Sequence, residues 1–459
     1  MSTSVVTNVL SGDGDRFVYL VSAMAALNGL LFGFDTGIIS GAILFINESF
    51  QMSALVEGIV VSGAMAGAAA GAALGGRLAD QIGRRRLIML SAGVFFTGSF
   101  LMAVAPTVPV LVAGRLIDGL AIGFASVVGP LYISEIAPPR IRGGLTSMHQ
   151  LMVTIGILGS YFVNYLFAGN GAWRWMLGAG MIPAVILGIG VLKMPESPRW
   201  LYSHGQRERA KAVLQRTRKG SVEEELEEIK ETVERETEAG LRKLLEPWLR
   251  PALIVGIGLA ILQQITGINA VMYYAPTILE ATGFDSAASI LATVGIGVVN
   301  VVMTVVAIAY IDRVGRRALL LVGTAGMTVT LAILGVVFYL PGLSGVLSIT
   351  ATVCLMLYIS FFAIGLGPVF WLLISEIYPL AVRGSAEGVA TVTNWVANLA
   401  VALSFPVLTA NVGPSVTFWL FGVFSAVAFA FTYGLVPETK GRTLEAIEND
   451  LRENISVGD

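Results

Sequence analysis

Residues 80–85 read Asp-Gln-Ile-Gly-Arg-Arg, and residues 312–317 read Asp-Arg-Val-Gly-Arg-Arg. Each opens the same charged series. Ser134-Glu135-Ile136, Arg142-Gly143 and Pro195-Glu196 follow the first; Ser375-Glu376-Ile377, Arg383-Gly384 and Pro437-Glu438 follow the second. The interval from Glu135 to Arg142 equals that from Glu376 to Arg383. Ionised side chains are costly beside a bilayer, so drift rarely leaves one set at one spacing twice. The series describes two homologous halves packed side by side, and such halves build alternating-access transporters.

Outward from these motifs the chain is apolar. Of its 459 residues 55% are hydrophobic and 13% charged, with a mean hydropathy of +0.78. A soluble domain carries about 25% charged residues. Apolar stretches of roughly 20 residues, enough to cross about 30 Å of hydrocarbon, recur along the chain. They predict about twelve membrane helices, at 17–41, 54–76, 86–105, 108–131, 145–168, 174–193, 250–275, 287–311, 317–339, 345–373, 384–408 and 415–436. The expected fold class is an all-α membrane protein of two pseudo-symmetric six-helix bundles, 1–196 and 247–437, with helices at 197–246 between them and a tail at 438–459. Asp13, Asp15 and Arg16 precede the first apolar run, which lacks the basic start and small-residue cleavage site of a signal peptide and reads as a retained helix. A net charge of -2 gives no hint of a nucleic-acid partner. The single cysteine, Cys354, excludes an intrachain disulfide and reads as a small buried apolar residue.

Lys and Arg sort by side. Arg77, Arg84 to Arg86, Arg140, Arg142, Arg313, Arg316, Arg317 and Arg383 lie in the turns after predicted helices two, four, eight and ten. The turns after helices one, three, seven, nine and eleven carry neither residue. The positive-inside rule assigns both termini and the central loop to the cytoplasm. In that loop the run Glu223-Glu-Glu-Leu-Glu-Glu, with Leu226, Ile229 and Val233 at helical spacing, predicts two or three short amphipathic helices on the cytoplasmic face. Gly63, Gly67, Gly71 and Gly75 recur every four residues and predict close helix packing.

Asp35 sits within Leu31-Phe-Gly-Phe-Asp-Thr-Gly-Ile-Ile-Ser-Gly41 of the first helix, and an intramembrane carboxylate is functional by default. Arg115 lies at a similar depth in helix four, so the two can pair. Beside Arg115 the carboxylate is stabilised as an anion; parted from it in apolar surroundings it takes a proton. A conformational change that makes or breaks the pair would bind or release a proton; a static bridge between two helices is the plainer reading. Asp118, at i+3 from Arg115, offers a local competitor.

A second constellation is neutral: Gln263-Gln264-Ile-Thr-Gly-Ile-Asn269-Ala-Val-Met-Tyr273-Tyr274 in helix seven. Gln150, Asn300 and Asn394 add amides at membrane depth, accompanied by Phe32, Phe362, Trp371 and Trp395. Amides that donate and accept, with aromatic faces against C–H surfaces, suit a neutral polyhydroxylated ligand. The duplicated charges, Asp80, Arg84, Arg85, Glu135, Arg142 and Glu196 with Asp312, Arg316, Arg317, Glu376, Arg383 and Glu438, lie at cytoplasmic helix ends and read as gates.

The chain resembles the sugar-porter branch of the major facilitator superfamily. The resemblance rests on Asp80-Gln-Ile-Gly-Arg-Arg, Pro195-Glu-Ser-Pro-Arg199, Gln263-Gln-Ile-Thr-Gly-Ile-Asn269, Asp312-Arg-Val-Gly-Arg-Arg and Pro437-Glu-Thr-Lys-Gly-Arg442, in that family's order. It implies a major facilitator fold with a central sugar site. By resemblance the sugar contacts are Gln150, Gln263, Gln264, Asn269, Asn300, Trp371 and Asn394, with Phe32, Tyr273, Phe362 and Trp395 as aromatic neighbours. Asp35 matches the aspartate of proton-coupled members and Arg115 its arginine partner; Asp118 departs from the family pattern. The expectation is a symporter of a hexose or pentose with a proton in the cell membrane, working as a monomer, with the proton as coupling ion and no other cofactor or metal. A facilitative uniporter is the alternative; a sugar sensor or a membrane enzyme finds little in the sequence to support it.

Overall fold

The computed structural model describes residues 13–138, 141–218, 222–237, 244, 246–341, 345–379 and 382–442, without the side chains of 13–15, 142, 143 and 232–237. Among the described residues the secondary structure is helical, with no strand. The first half begins with α1 (Asp13–Phe50), α2 (Ala54–Ile82), α3 (Arg84–Ala103), α4 (Val108–Ile136) and α5 (Arg142–Ala168). Helices α6 (Trp173–Gly178) and α7 (Met181–Val191) together form a sixth crossing. Three short helices follow: α8 (Pro198–Ser203), α9 (Arg207–Thr217) and α10 (Glu223–Thr237). The second half comprises α11 (Arg250–Ile265), α12 (Ile268–Glu280), α13 (Ser286–Val314), α14 (Arg316–Tyr339), α15 (Val346–Ile364), α16 (Leu366–Ile377) and α17 (Arg383–Leu435).

Among the described residues, eleven segments are long and apolar enough to cross a membrane. The last, α17, has 53 residues. At 1.5 Å per residue that is about 80 Å, more than twice the hydrocarbon thickness. The helix breaks at Gly413, where φ is 84° and Pro414 follows, so α17 is two crossings and the described residues make twelve. The protein is a multi-pass membrane protein. Large apolar side chains such as Trp175, Leu166, Ile182, Tyr339 and Val346 face outward, as a lipid-facing surface requires.

The structure departs from the sequence expectation inside two crossings. Helices α11 and α12 meet at Gly267, with φ 91° and ψ 8°, where an added Cβ would lie 2.3 Å from the Phe421 ring. Helices α15 and α16 meet at Gly365, with φ -108° and ψ -105°. Hydropathy is blind to such breaks, because a glycine in an apolar run looks like helix interior. Each break frees backbone groups at membrane depth, and such groups are tolerated where they are buried in protein or line a cavity.

Small residues set the close contacts. An added Cβ at Gly67 would lie 2.2 Å from the Leu116 carbonyl and one at Gly71 2.3 Å from that of Leu120, so the glycine stripe of α2 packs directly on α4. Gly33 does the same for α1 on α5, with Val153 O at 1.8 Å. Between halves, α2 packs on α17, α5 on α13 and α1 on α12.

The duplicated motif folds into the same device twice. Arg84 makes a two-pronged pair with Glu135, at 2.9 and 3.0 Å, and meets Asp80 at 2.9 Å. Arg316 pairs likewise with Glu376, at 3.1 and 2.7 Å, and meets Asp312 at 3.0 Å. Glu196 accepts from the Arg85 backbone N–H at 3.0 Å, at the start of α3; Glu438 accepts from those of Arg316 and Arg317, at 2.9 and 3.1 Å, at the start of α14. A carboxylate at a helix N-terminus meets unpaired N–H groups and the positive end of the dipole. Gly83 and Gly315, with φ of 100° and 105°, make the turns between, and a Cβ on either would strike the Glu196 or Glu438 carboxylate.

Helices α8 to α10 lie at this charged end. Trp200 donates to Asp80 O at 2.7 Å, and Arg216 stacks on Phe17 at 4.4 Å. Arg218 donates to Ile136 O at 2.8 Å while gripping Glu225 at 2.7 and 2.6 Å.

Candidate functional site

The amides of α11 and α12 converge with α17 on one network. The Gly267 break turns the chain so that residues on both sides of it face inward. Asn269 donates to Gln264 Oε1 at 2.7 Å. Gln264 donates to Asn394 Oδ1 at 3.0 Å, and Asn394 donates to Gln263 Oε1 at 2.8 Å. Gln263 donates to Leu366 O at 2.8 Å, a carbonyl at the Gly365 break. Four of the sequence-predicted amides are thus in mutual contact and buried or half-buried. Their bonds to one another can be exchanged for bonds to hydroxyls without leaving a buried amide unsatisfied.

Aromatic rings accompany the amides. Phe32 of α1 meets Trp395 of α17 across the halves, with ring centroids 5.1 Å apart. Trp395 is buried and its Nε1 has no hydrogen-bond partner. Trp371 packs edge-on against Phe370 at 4.8 Å, and Phe362, on α15 just before the Gly365 break, is half-buried. Gln150 on α5 and Asn300 on α13 stand outside the amide network.

Asp35 and Arg115 form an ion pair from α1 to α4, and their side chains are 1% and 0% exposed. Arg115 Nη2 also donates to Val61 O at 3.2 Å, which fixes the guanidinium against α2. Phe32, one turn before Asp35, is the ring that meets Trp395. Tyr273 of α12 joins the two sites. Asn398 donates to its hydroxyl at 3.1 Å, and Thr36, next to Asp35, lies nearby. Asp118 is also buried in this region.

The charged residues at helix ends divide strictly. Among the described residues, the pairs made by Asp80, Arg84, Arg85, Glu135 and Glu196 stay in the first half, and those made by Asp312, Arg316, Arg317, Glu376, Arg383 and Glu438 stay in the second. They knit each half together. The Arg142 side chain lies outside the described residues.

Some residues were not singled out from the sequence. Asn398, one turn beyond Asn394, is signalled by that i+4 spacing. Tyr358 donates to Thr266 O at 2.9 Å, beside the Gly267 break, and Tyr161 to Met272 O at 3.0 Å, the carbonyl that Pro276 leaves without its helical donor. A tyrosine in an apolar helix gives no such signal by itself.

Two six-crossing halves around a buried polar centre, with broken helices at that centre, define a secondary transporter of the major facilitator fold. The chain belongs to the "Sugar (and other) transporter" family, whose model matches residues 21–451. It is 44% identical over 436 residues to the glucose transporter GlcP of Staphylococcus epidermidis, covering 95% of this chain and 97% of that one. It is 41% identical over 436 residues to the galactose-proton symporter of Escherichia coli, covering 94% of each. Among solved structures, the proton:xylose symporter XylE bound to 6-bromo-6-deoxy-D-glucose superposes with a TM-score of 0.82 at 33% identity, covering 95% of this chain and all of that one.

Proposed function

We propose that this chain carries a monosaccharide, a hexose or a pentose, together with a proton across the cell membrane by alternating access. The observation that carries the reading is the buried Asp35–Arg115 pair beside a neutral amide cluster. The relatives named for proton symport of galactose and xylose support it. The sugar is held by Gln263, Gln264, Asn269 and Asn394, with Gln150 and Asn300 from the facing helices and Phe32, Tyr273, Phe362, Trp371 and Trp395 against its C–H faces. Both termini and α8 to α10 are cytoplasmic, as the arginine distribution favours. The bundles 1–196 and 247–437 rock as bodies, 197–246 braces them from below, and one copy of the chain suffices.

In the mechanism, protonated Asp35 releases Arg115, and the α1–α4 contact loosens. Sugar bound at the amides draws α12 inward through Asn398 and Tyr273, and Tyr273 reports this to Thr36 beside Asp35. Opening at the charged end then frees both cargoes. The ion networks of Arg84 and Arg316 keep each bundle rigid, and re-pairing between bundles, Arg142 included, closes that end. A potential of about 100 mV supplies roughly 2.3 kcal/mol per charge, and one pH unit about 1.4 kcal/mol. Together they sustain roughly several-hundred-fold accumulation at one proton per sugar.

The test is Asp35→Asn in vesicles. Uphill uptake is lost while sugar counterflow persists. A mutant that accumulates sugar as the wild type does refutes the coupling and leaves facilitated diffusion.

A further inference from the structure

Asp118 is 1% exposed, one turn from Arg115 on α4. Its Oδ1 is buried without a hydrogen-bond donor, and Arg115 Nε is equally unpartnered. The Asp118 carboxyl lies near the Asp35 carboxyl and the Ser99 hydroxyl of α3. Two buried carboxyls therefore lie around one guanidinium, which pairs with Asp35. Around it α2 offers the Val61 carbonyl, α3 offers Ser99, and α12 brings the phenols of Tyr273, near Asp35, and Tyr274, near Arg115 and Glu57 of α2.

With both carboxyls ionised the cluster holds a net charge of minus one, and two acceptors face each other without a proton between them. Like charges in one buried site cannot both persist cheaply. One proton turns the facing oxygens into a donor and an acceptor and makes the cluster neutral. We propose that the transported proton is shared by Asp35 and Asp118, a carboxyl dyad held against Arg115. The inference rests on the reading of Asp35 as the coupling carboxylate and adds a second residue to it. It also gives the wild type a reserve: when one carboxyl is protonated, the other still neutralises Arg115, so the guanidinium never stands unpaired in the bundle. An Asp35–Arg115 pair alone would be neutral when empty and positive when loaded; the dyad is negative when empty and neutral when loaded.

The experiment measures uphill sugar uptake against external pH for wild type, Asp118→Asn, Asp118→Glu and Asp35→Asn, with counterflow as the report of folded carrier. The expected result is that Asp118→Asn needs about tenfold more protons for half-maximal accumulation, while Asp118→Glu keeps a profile near wild type. A wild-type profile in Asp118→Asn overturns the dyad. Asp35→Asn separates this failure from that of the coupling itself: if it accumulates sugar normally, the coupling reading is wrong whatever Asp118 does. Should Asp118→Asn give no counterflow, the wild-type protein is treated with dicyclohexylcarbodiimide, which adds to protonated buried carboxyls, and the labelled peptides are weighed. Label on both Asp35 and Asp118 supports sharing; label on Asp35 alone overturns it.

Discussion

Gln264 sits inside the amide network of the proposed sugar site: it donates to Asn394 and accepts from Asn269. Removing it leaves neighbours unsatisfied and takes away a hydroxyl partner. Gln264→Ala is expected to weaken sugar binding by about 1–3 kcal/mol, roughly five- to hundredfold in Kd, measured by calorimetry on purified protein; unchanged affinity would move the site elsewhere. Tyr273 has a different task, since it lies between Asn398 and Thr36. Tyr273→Phe keeps the ring and removes the hydroxyl, so binding survives while the ratio of accumulated sugar to proton gradient falls. That ratio is read in vesicles at fixed pH difference. Much of this chemistry is legible in the sequence, because adjacent glutamines and an aspartate are too expensive in a membrane helix to be idle. Asn398 is less legible, because its one signal is the i+4 spacing from Asn394.

Glycine positions decide how closely the elements approach. Gly67 meets the Leu116 carbonyl, a backbone atom that cannot swing aside, whereas Gly76 on the same helix has no atom within 4 Å of an added Cβ. Gly67→Ala is expected to destabilise the folded protein by about 1–3 kcal/mol through overpacking. Gly76→Ala should be neutral or gain up to about 1 kcal/mol from helix propensity. Thermal unfolding in detergent compares them; equal melting temperatures would contradict the α2–α4 packing. The every-fourth-residue stripe makes this contact readable from the sequence alone. The breaks at Gly267 and Gly365 are not readable, because an isolated glycine serves equally as helix interior and as helix end. Only the tertiary setting, Phe421 against Gly267 and Gly323 against Gly365, distinguishes them.

At the scale of the molecule, the twice-written charged series was the most legible feature, and it folds into matching devices at the same end of both halves. Its meaning narrowed in the structure. The carboxylates of Glu196 and Glu438 cap helices, and Arg84 and Arg316 bind partners in their own half. What differs between the halves carries the proposed chemistry: Asp35 and Arg115 in the first, the amide run in the second, with Tyr273 between them. The central claim is that one conformational cycle moves both cargoes. It is tested most directly in proteoliposomes holding a pH-sensitive dye, with no proton gradient imposed and charge movement shunted by potassium and valinomycin. Adding transported sugar outside should acidify the lumen in the wild type and leave it unchanged in Asp35→Asn. Sugar entry without any change of lumenal pH in the wild type would contradict the account.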